Sequence, residues 1–214
     1  MQVVHRDVAP SNLFVGIDGH TRLSDFGIAA AVERYAHSQI GSIKGRMAYM
    51  APERISGGVA DARADVFSYG VVLWEMLAKK RLFRASNDYN TARRVLELDV
   101  PKLAGLDPEL ASFDAVITKA MARRPCDRYP TADALLEAVE EVALATTGIA
   151  TARAVERAIV PLLRTRIEMQ RAAIRAAASR FGGGPEGAAL DDDESLDEPT
   201  IVEWRGAPTA LATL

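Results

Sequence analysis

The chain has 214 residues, of which 49% are hydrophobic and 26% are charged. This composition suits one sizeable globular core and excludes collagen-like, mucin-like and wholly disordered chains. The formal net charge is -3, and nucleic acid is not an expected partner. One cysteine, Cys126, excludes an intramolecular disulfide and favours a reducing, cytoplasmic compartment. The longest apolar stretch is far shorter than the roughly 20 residues of a membrane-spanning helix, and no leader peptide is expected.

The first predicted element is a small antiparallel hairpin. Two short apolar-rich segments, Leu13 to Val15 and His20 to Ser24, flank a loop that contains Asp18 and Gly19. Asp-Gly pairs suit the positive φ angles of tight hairpin turns. Residues 27–64, which follow the hairpin, are polar and show little periodicity.

Helical patterns occupy the middle of the chain. Residues 65–77 are apolar almost all round, which is typical of a helix in the centre of a core. Capping signals at Asn87, Pro108 and Thr131 indicate where three of the later helices begin. The later helices are predicted at 89–98, 108–122, 132–144 and 150–180.

The last helical pattern is basic and amphipathic. A solvated arginine face is the favoured interpretation, and a surface that docks an anionic lipid, nucleic acid or acidic peptide is the alternative. Pro161 is expected to kink the helix or make it restart. Residues 182–214 carry eight acids, one base and no sustained apolar period, so this tail is predicted to be disordered. The arginines of the helical pattern are Arg153, Arg157, Arg164, Arg171 and Arg175.

Three short strings occur in a fixed order within the first 53 residues. They are His5-Arg6-Asp7-Val8-Ala9-Pro10-Ser11-Asn12, Asp25-Phe26-Gly27 and Ala51-Pro52-Glu53. Each string alone is a weak signal, but their order, the Asp7-to-Asn12 spacing and the intervening hairpin together resemble the protein-kinase signature. Two further strings strengthen the resemblance, one beginning at Asp65 and one ending in Arg128-Tyr129.

The resemblance covers residues 3 to about 145 and implies a fold. That fold is mainly α with a short β-hairpin, the large C-terminal lobe of a protein kinase. Because the sequence starts just before the His5 string, the lobe is expected to be truncated at its N-terminus, without the glycine-rich loop and lysine of the small lobe. The expected domains are the lobe at 1–147, a basic amphipathic helical extension at 148–181 and the acidic tail at 182–214.

The resemblance also implies the chemistry of the site, with ATP and Mg²⁺ as cofactors and a protein as substrate. Phosphoryl transfer depends on positioning and on neutralising the charge of the phosphate oxygens. Asn12 and Asp25 would hold the magnesium ions, and Asp7 would accept the proton of the substrate hydroxyl. Asp7, Asn12 and Asp25 are therefore the candidate catalytic residues.

Other motif residues have structural or regulatory roles by the same resemblance. Glu53 and Arg128 would form a buried ion pair, and Asp65 would hold the catalytic-loop backbone. Arg6 would bind a phosphate on the segment that follows the Asp25 string. The remaining candidates are the loop-packing residue His5, the neighbours of Asp25, Phe26 and Gly27, and the phosphate acceptors Ser38, Ser42 and Tyr35.

Two positions depart from the family pattern. Ala9 stands where serine/threonine kinases usually carry a phosphate-contacting lysine, and Arg46 stands where they usually carry a threonine. Tyrosine kinases also place alanine at the first position, but Pro10-Ser11-Asn12 is unlike their usual continuation. The favoured interpretation is a serine/threonine kinase.

Two other functions stay open beside that interpretation. In the first, the chain would be a catalytically inactive, kinase-derived binding or regulatory module. In the second, it would be one half of a split kinase whose small lobe lies on a separate polypeptide. Partners would then include that lobe or a regulatory protein. For the chain alone, without a small lobe, we expect negligible phosphotransfer because the phosphate clamp is incomplete.

Overall fold

The computed structural model describes residues 4–26 and 46–180. The described residues divide into two compact units. The first unit contains residues 4–14, 23–26 and 46–149, and the second contains residues 15–22 and 150–180. The predicted tail, 182–214, lies outside the described residues.

The first unit is helical. Its α-helices are α1 (Pro52–Ile55), α2 (Ala62–Ala78), α3 (Asp88–Glu97), α4 (Asp114–Ala120) and α5 (Ala132–Ala145). Short 3-10 turns at Pro10–Asn12, Met47–Tyr49, Leu103–Gly105, Pro108–Phe113 and Pro125–Asp127 connect or precede them. Together with the hairpin described below, this architecture confirms the predicted fold class, mainly α with a short hairpin.

Helix α2 is the centre of the first unit, as its all-round apolar pattern predicts. Asp61 caps its N-terminus by accepting a hydrogen bond from the Arg63 backbone N–H, and Lys79 ends the helix in a left-handed conformation at φ 52°. Helices α4 and α5 pack against it. At Gly70 a Cβ atom would lie 2.8 Å from Met121 Cγ, so glycine allows the close approach.

The core surrounds α2 on several sides. Phe67 and Phe83 stack with ring centroids 6.2 Å apart, and both are almost completely buried. A second, smaller cluster joins α2 to α4 and α5 through Val66, Val116 and Leu135. The helix that carries Asp65 is therefore held rigidly by apolar packing.

One predicted helix differs from the observed structure. The sequence predicts a helix over 108–122, but the chain forms a 3-10 turn at Pro108–Phe113 and an α-helix only at Asp114–Ala120. The Asp114 carboxylate accepts hydrogen bonds from the backbone N–H groups of Leu103 (2.6 Å) and Ala104 (3.3 Å). This long-range anchor fixes the start of α4, and no local pattern reveals it.

The predicted hairpin is present. Strands β1 (Leu13–Val15) and β2 (Thr21–Leu23) form a two-stranded sheet. Gly16 donates its backbone N–H to the His20 carbonyl at 2.8 Å, which closes the turn. Gly19 has a φ of 75°, the left-handed value for which the Asp-Gly signal selects glycine.

The second unit contains the turn of the hairpin and one long helix, α6 (Ala152–Arg180). Helix α6 continues through Pro161, so the predicted restart does not occur. Pro161 is exposed, and water can therefore solvate the carbonyl that proline leaves without a partner. The five predicted arginines, Arg153, Arg157, Arg164, Arg171 and Arg175, are all exposed, which suits both a solvated face and a docking surface.

Among the described residues, no helix combines the length and hydropathy needed to span a bilayer.

Candidate active site

The loop that carries Asp7 is tied to the core by one carboxylate. Asp65, near the start of α2 and only 8% exposed, accepts hydrogen bonds from the backbone N–H groups of His5 (2.7 Å) and Arg6 (2.8 Å). Arg6 adopts a φ of 69°, a left-handed value that is unfavourable for arginine. The two hydrogen bonds to Asp65 hold this conformation and so fix the direction of the following residue, Asp7.

His5 links the loop to the segment before Asp25. Its Nδ1 accepts a hydrogen bond from the Asp7 backbone N–H at 3.2 Å, so Nε2 carries the proton and donates to the Ser24 carbonyl at 2.8 Å. The His5 ring also contacts Phe26 edge to face, with centroids 4.5 Å apart. His5 is 3% exposed and is therefore a packing residue at the base of the site.

Asn12 and Asp7 are in direct contact. The Asn12 Nδ2 donates to the Asp7 carbonyl at 2.8 Å and to the Asp7 Oδ2 at 2.9 Å. These two bonds orient the amide, because its nitrogen faces Asp7 and its Oδ1 points the other way. Asn12 is 2% exposed, so this orientation is held by burial as well.

A backbone hydrogen bond brings the segment that carries Asp25 beside Asn12. Ser24 donates its N–H to the Asn12 carbonyl at 2.9 Å, and Asp25 follows immediately. Asp25 has a φ of 65° and an exposed side chain. A strained backbone beside an exposed carboxylate is typical of a functional position. The structure therefore brings the backbones of Asp7, Asn12 and Asp25 together.

Two arginines that the sequence analysis did not assign to the site also contact the loop. Arg46 forms an ion pair with the Asp7 Oδ2, and Arg54 donates a hydrogen bond to the Arg6 carbonyl. Arg46 was noted only as a departure from a family pattern, and Arg54 directly follows the Ala51-Pro52-Glu53 string. No periodicity in the sequence signals either contact.

Glu53 and Arg128 form a bidentate ion pair, with both nitrogen–oxygen distances at 2.8 Å. The Arg128 side chain is completely buried, and all five of its N–H donors are used. Besides Glu53, it binds backbone carbonyls, those of Arg63 (2.9 Å), Ala122 (2.7 Å) and Arg123 (3.0 Å). This guanidinium therefore ties α1, α2 and the segment before α5 to one point.

A second buried polar network involves Tyr49, which lies between Arg46 and Glu53 in the chain. The Tyr49 hydroxyl donates to the Glu75 Oε2 at 2.7 Å, and Arg81 binds the same carboxylate oxygen at 2.8 Å. The Leu82 backbone N–H donates to the other oxygen at 2.9 Å. Burial, reinforced by the bond to Glu75, raises the pKa of Tyr49 well above its usual range. Tyr49 therefore stays protonated and holds its segment on α2.

The chemistry of the site favours a hard cation bound partly by phosphate and water. Within residues 4–26 and 46–180, no three His, Cys, Asp or Glu side chains form a metal-binding group. The neutral Oδ1 of Asn12 and the exposed carboxylate of Asp25 are ligands of the type that Mg²⁺ takes when substrate phosphates complete its coordination. These oxygen donors fit magnesium, whereas a soft metal such as zinc or copper(I) favours thiolate and imidazole ligands.

Several predicted residues lie outside the described part of the chain. They are Gly27, Tyr35, Ser38 and Ser42.

Comparison with known proteins supplies a family. A family model for the "Protein kinase domain" matches residues 1–138. Curated relatives include the tyrosine-protein kinase MasK of Myxococcus xanthus, 42% identical over 65% of this chain and 22% of that protein. The serine/threonine-protein kinase PknL of Mycobacterium tuberculosis is 37% identical over 78% of this chain and 44% of that protein. The chain therefore spans less than half the length of these relatives.

A crystal structure of the M. tuberculosis PknI kinase domain matches 66% of this chain and 47% of that chain, with 29% identity and a TM-score of 0.49.

Proposed function

The chain belongs to the protein kinase family, and we propose that the protein containing it transfers the γ-phosphate of ATP to a hydroxyl group of a protein substrate. The single observation that carries the proposal is the contact of Asn12 with Asp7, next to the backbone bond that brings in Asp25. A buried amide that orients an acceptor carboxylate beside a second, exposed carboxylate suits phosphoryl transfer.

Asp7 is the proposed proton acceptor. Both Asn12 and Arg46 bind its Oδ2, so we assign the substrate hydroxyl to Oδ1. As the hydroxyl oxygen bonds to the γ-phosphorus, the bond from that phosphorus to the bridging oxygen breaks and ADP leaves with the electron pair. The hydroxyl proton passes to Asp7. The hydrogen bonds from Asn12 hold the carboxylate in the required direction.

Asn12 and Asp25 are the proposed magnesium ligands. Mg²⁺, when bound, neutralises charge on the phosphate oxygens. Asn12 directs Oδ1 away from Asp7, where this oxygen accepts a 3.3 Å hydrogen bond from Ser11 Oγ and keeps a second lone pair, and Asp25 presents an exposed carboxylate. His5 holds the backbone before Asp25 through its hydrogen bond to the Ser24 carbonyl, and its ring contacts Phe26, which follows Asp25.

For the acceptor amino acid we favour serine or threonine. PknL is named a serine/threonine kinase and MasK a tyrosine kinase, and Pro10-Ser11-Asn12 is unlike the usual continuation of tyrosine kinases. Ala9 and Arg46 differ from the usual serine/threonine pattern, so the choice needs measurement. Peptides that differ only in Ser, Thr or Tyr at the acceptor position decide it, and transfer to the tyrosine peptide alone would overturn our choice.

Regulation by phosphorylation is the proposed role of Arg6. A phosphate on Ser38 or Ser42 would give this half-buried arginine a partner with nearly two negative charges. We expect the Ser38→Ala/Ser42→Ala variant to lose activation by ATP preincubation, measured as the initial rate of peptide phosphorylation. Full activation of this variant would contradict the proposal.

The decisive experiment measures transfer of labelled phosphate from MgATP by the full-length product of the gene. Replacing Asp7 by Asn keeps the shape of the side chain but removes the proton acceptor, so the rate should fall about 10²- to 10⁴-fold. Asp18→Asn is the matched control, because Asp18 is an exposed hairpin carboxylate, and its rate should not change. Absence of transfer by the unaltered protein, or full activity of Asp7→Asn, would overturn the proposal.

A further inference from the structure

The cation on Asp7 comes from a distant part of the chain. Between Asp7 and Asn12 the loop reads Val8-Ala9-Pro10-Ser11 and contains no basic residue. Val8 and Ala9 are each 2% exposed and face the core. The positive charge that touches Asp7 belongs to Arg46, which is 39 residues further along the chain.

Arg46 is held in place by a rigid support. It caps the 3-10 turn Met47–Tyr49, and the Tyr49 backbone N–H donates to the Arg46 carbonyl at 3.0 Å. Tyr49 is itself anchored to α2, because its hydroxyl binds Glu75 and its carbonyl accepts a hydrogen bond from Ser68 Oγ at 2.7 Å. The backbone of Arg46 is therefore fixed, and the ion pair with Asp7 directs its side chain.

The exposure of the pair differs between its partners. The Asp7 side chain is 15% exposed, whereas the Arg46 side chain is 48% exposed. The guanidinium has five N–H donors in a planar fork, a shape that matches both carboxylate and phosphate oxygens. Arg46 can therefore keep its bond to Asp7 and offer further donors to a group that arrives at the exposed side.

We propose that Arg46 is a catalytic residue that contacts the phosphoryl group during its transfer, while it also holds Asp7. This inference rests on the proposed function. Between Asp7 and Asn12 the loop supplies no cation, and phosphoryl transfer requires positive charge beside the transferring oxygens. Arg46 forms no covalent bond and takes no proton. Because the guanidinium binds Asp7 Oδ2, its remaining N–H donors lie close to Oδ1, where we place the substrate hydroxyl.

The test compares Arg46→Ala, Arg46→Lys and the double variant Ala9→Lys/Arg46→Thr in the full-length protein. Loss of a preorganised donor to a transferring group should lower kcat about 10²-fold, with the KM for the peptide unchanged. Lysine keeps the charge but not the fork, so Arg46→Lys should lose less. The double variant, which moves the cation into the loop, should recover at least part of the rate lost by Arg46→Ala.

Arg22→Ala is the matched control. Arg22 pairs with Asp18 on the hairpin, and its side chain is 52% exposed, close to that of Arg46. This variant should keep the kcat of the unaltered protein. Unchanged or increased kcat in Arg46→Ala would overturn the inference, and an increase would show that the arginine blocks Asp7.

A binding measurement separates this inference from the proposed function. Isothermal titration should show that Arg46→Ala weakens MgATP about 10-fold or more and leaves MgADP unchanged, because only ATP carries the γ-phosphate; a charged hydrogen bond is worth about 1.5–3 kcal/mol. Equal effects on the two nucleotides would overturn the contact. If the unaltered protein bound neither nucleotide, the proposed function would fail, and this inference with it.

Discussion

The segment from Arg46 to Glu53 forms an arginine–carboxylate pair at each end, and the two pairs differ in burial. In the pair of Glu53 with Arg128, the arginine side chain is 0% exposed and the carboxylate 15% exposed. In the pair of Asp7 with Arg46, the carboxylate is equally covered, but the arginine is 48% exposed. The carboxylates match, and the arginines do not.

The different exposure of the two arginines indicates different roles, one structural and one open to a ligand. Arg128 uses every N–H donor on Glu53 and on backbone carbonyls, so no donor is left for a ligand. Removing such a buried cation leaves the Glu53 carboxylate as an uncompensated charge, which destabilises the fold. Arg46 keeps an exposed face beside an acidic group, and an exposed ion pair contributes little to stability. The first pair is a scaffold, and the second is available for catalysis.

The largest expected effect breaks the buried pair. Replacing Arg128 by Ala leaves Glu53 and three carbonyls without their partner, so the free energy of unfolding should fall by about 3–5 kcal/mol. Urea denaturation followed by circular dichroism measures it. Arg124→Ala is the matched control, because Arg124 pairs with Asp127 at the surface with 77% of its side chain exposed. A loss below about 1 kcal/mol for Arg128→Ala would contradict the scaffold role.

An intermediate effect on the free energy of unfolding is expected at Tyr49, which lies between Arg46 and Glu53 in the chain. Tyr49→Phe removes a hydrogen bond to a charged carboxylate and should cost about 1.5–3 kcal/mol of unfolding free energy near neutral pH. The high pKa of Tyr49 means that the folded protein keeps this proton where the unfolded chain releases it. Stability should therefore fall as the pH rises above about 10, the pKa of an unperturbed tyrosine.

Tyr49→Phe should lack this part of the alkaline decline, and thermal melts of both proteins between neutral and strongly alkaline pH test the difference. Tyr89→Phe serves as the control, since Tyr89 is 76% exposed. Parallel alkaline curves for the protein and its Tyr49→Phe variant would contradict the assignment.

The smallest expected effect on stability sharpens the comparison. Arg46→Ala should change the free energy of unfolding by less than about 1 kcal/mol, because its pair with Asp7 is partly screened by water. The same denaturation experiment used for Arg128→Ala provides the measurement. A loss as large as that of Arg128→Ala would mean that the two pairs have the same structural role, and the contrast drawn between them would be wrong.

Much of the fold could be predicted because it depends on local signals. The all-round apolar pattern around residues 65–77 placed α2, and the Asn87 and Thr131 caps placed α3 and α5 within one or two residues. The start of α4 could not be predicted, because Asp114 accepts hydrogen bonds from residues that precede it by ten and eleven positions. Periodicity does not report such contacts.

The candidate site divides in the same way. Motif spacing selected Asp7, Asn12 and Asp25, and the structure adds the backbone contacts that gather them. The roles of these residues stay proposals. Arg46 and Arg54 were not assigned to the site, because each reaches the loop from about 40 or more residues away in the chain, and only folding brings them there.

The amino-acid sequence by itself determined the family, the helical class, the hairpin and the identity of the acidic residues, since these follow from short-range order and spacing. Tertiary structure alone decided that Arg46 pairs with Asp7, that Arg54 reaches the loop and that α4 begins at Asp114. The physical reason is that burial and direction belong to the packed chain. A guanidinium covered on every side holds a fold together, and the same group left half in water can meet a ligand.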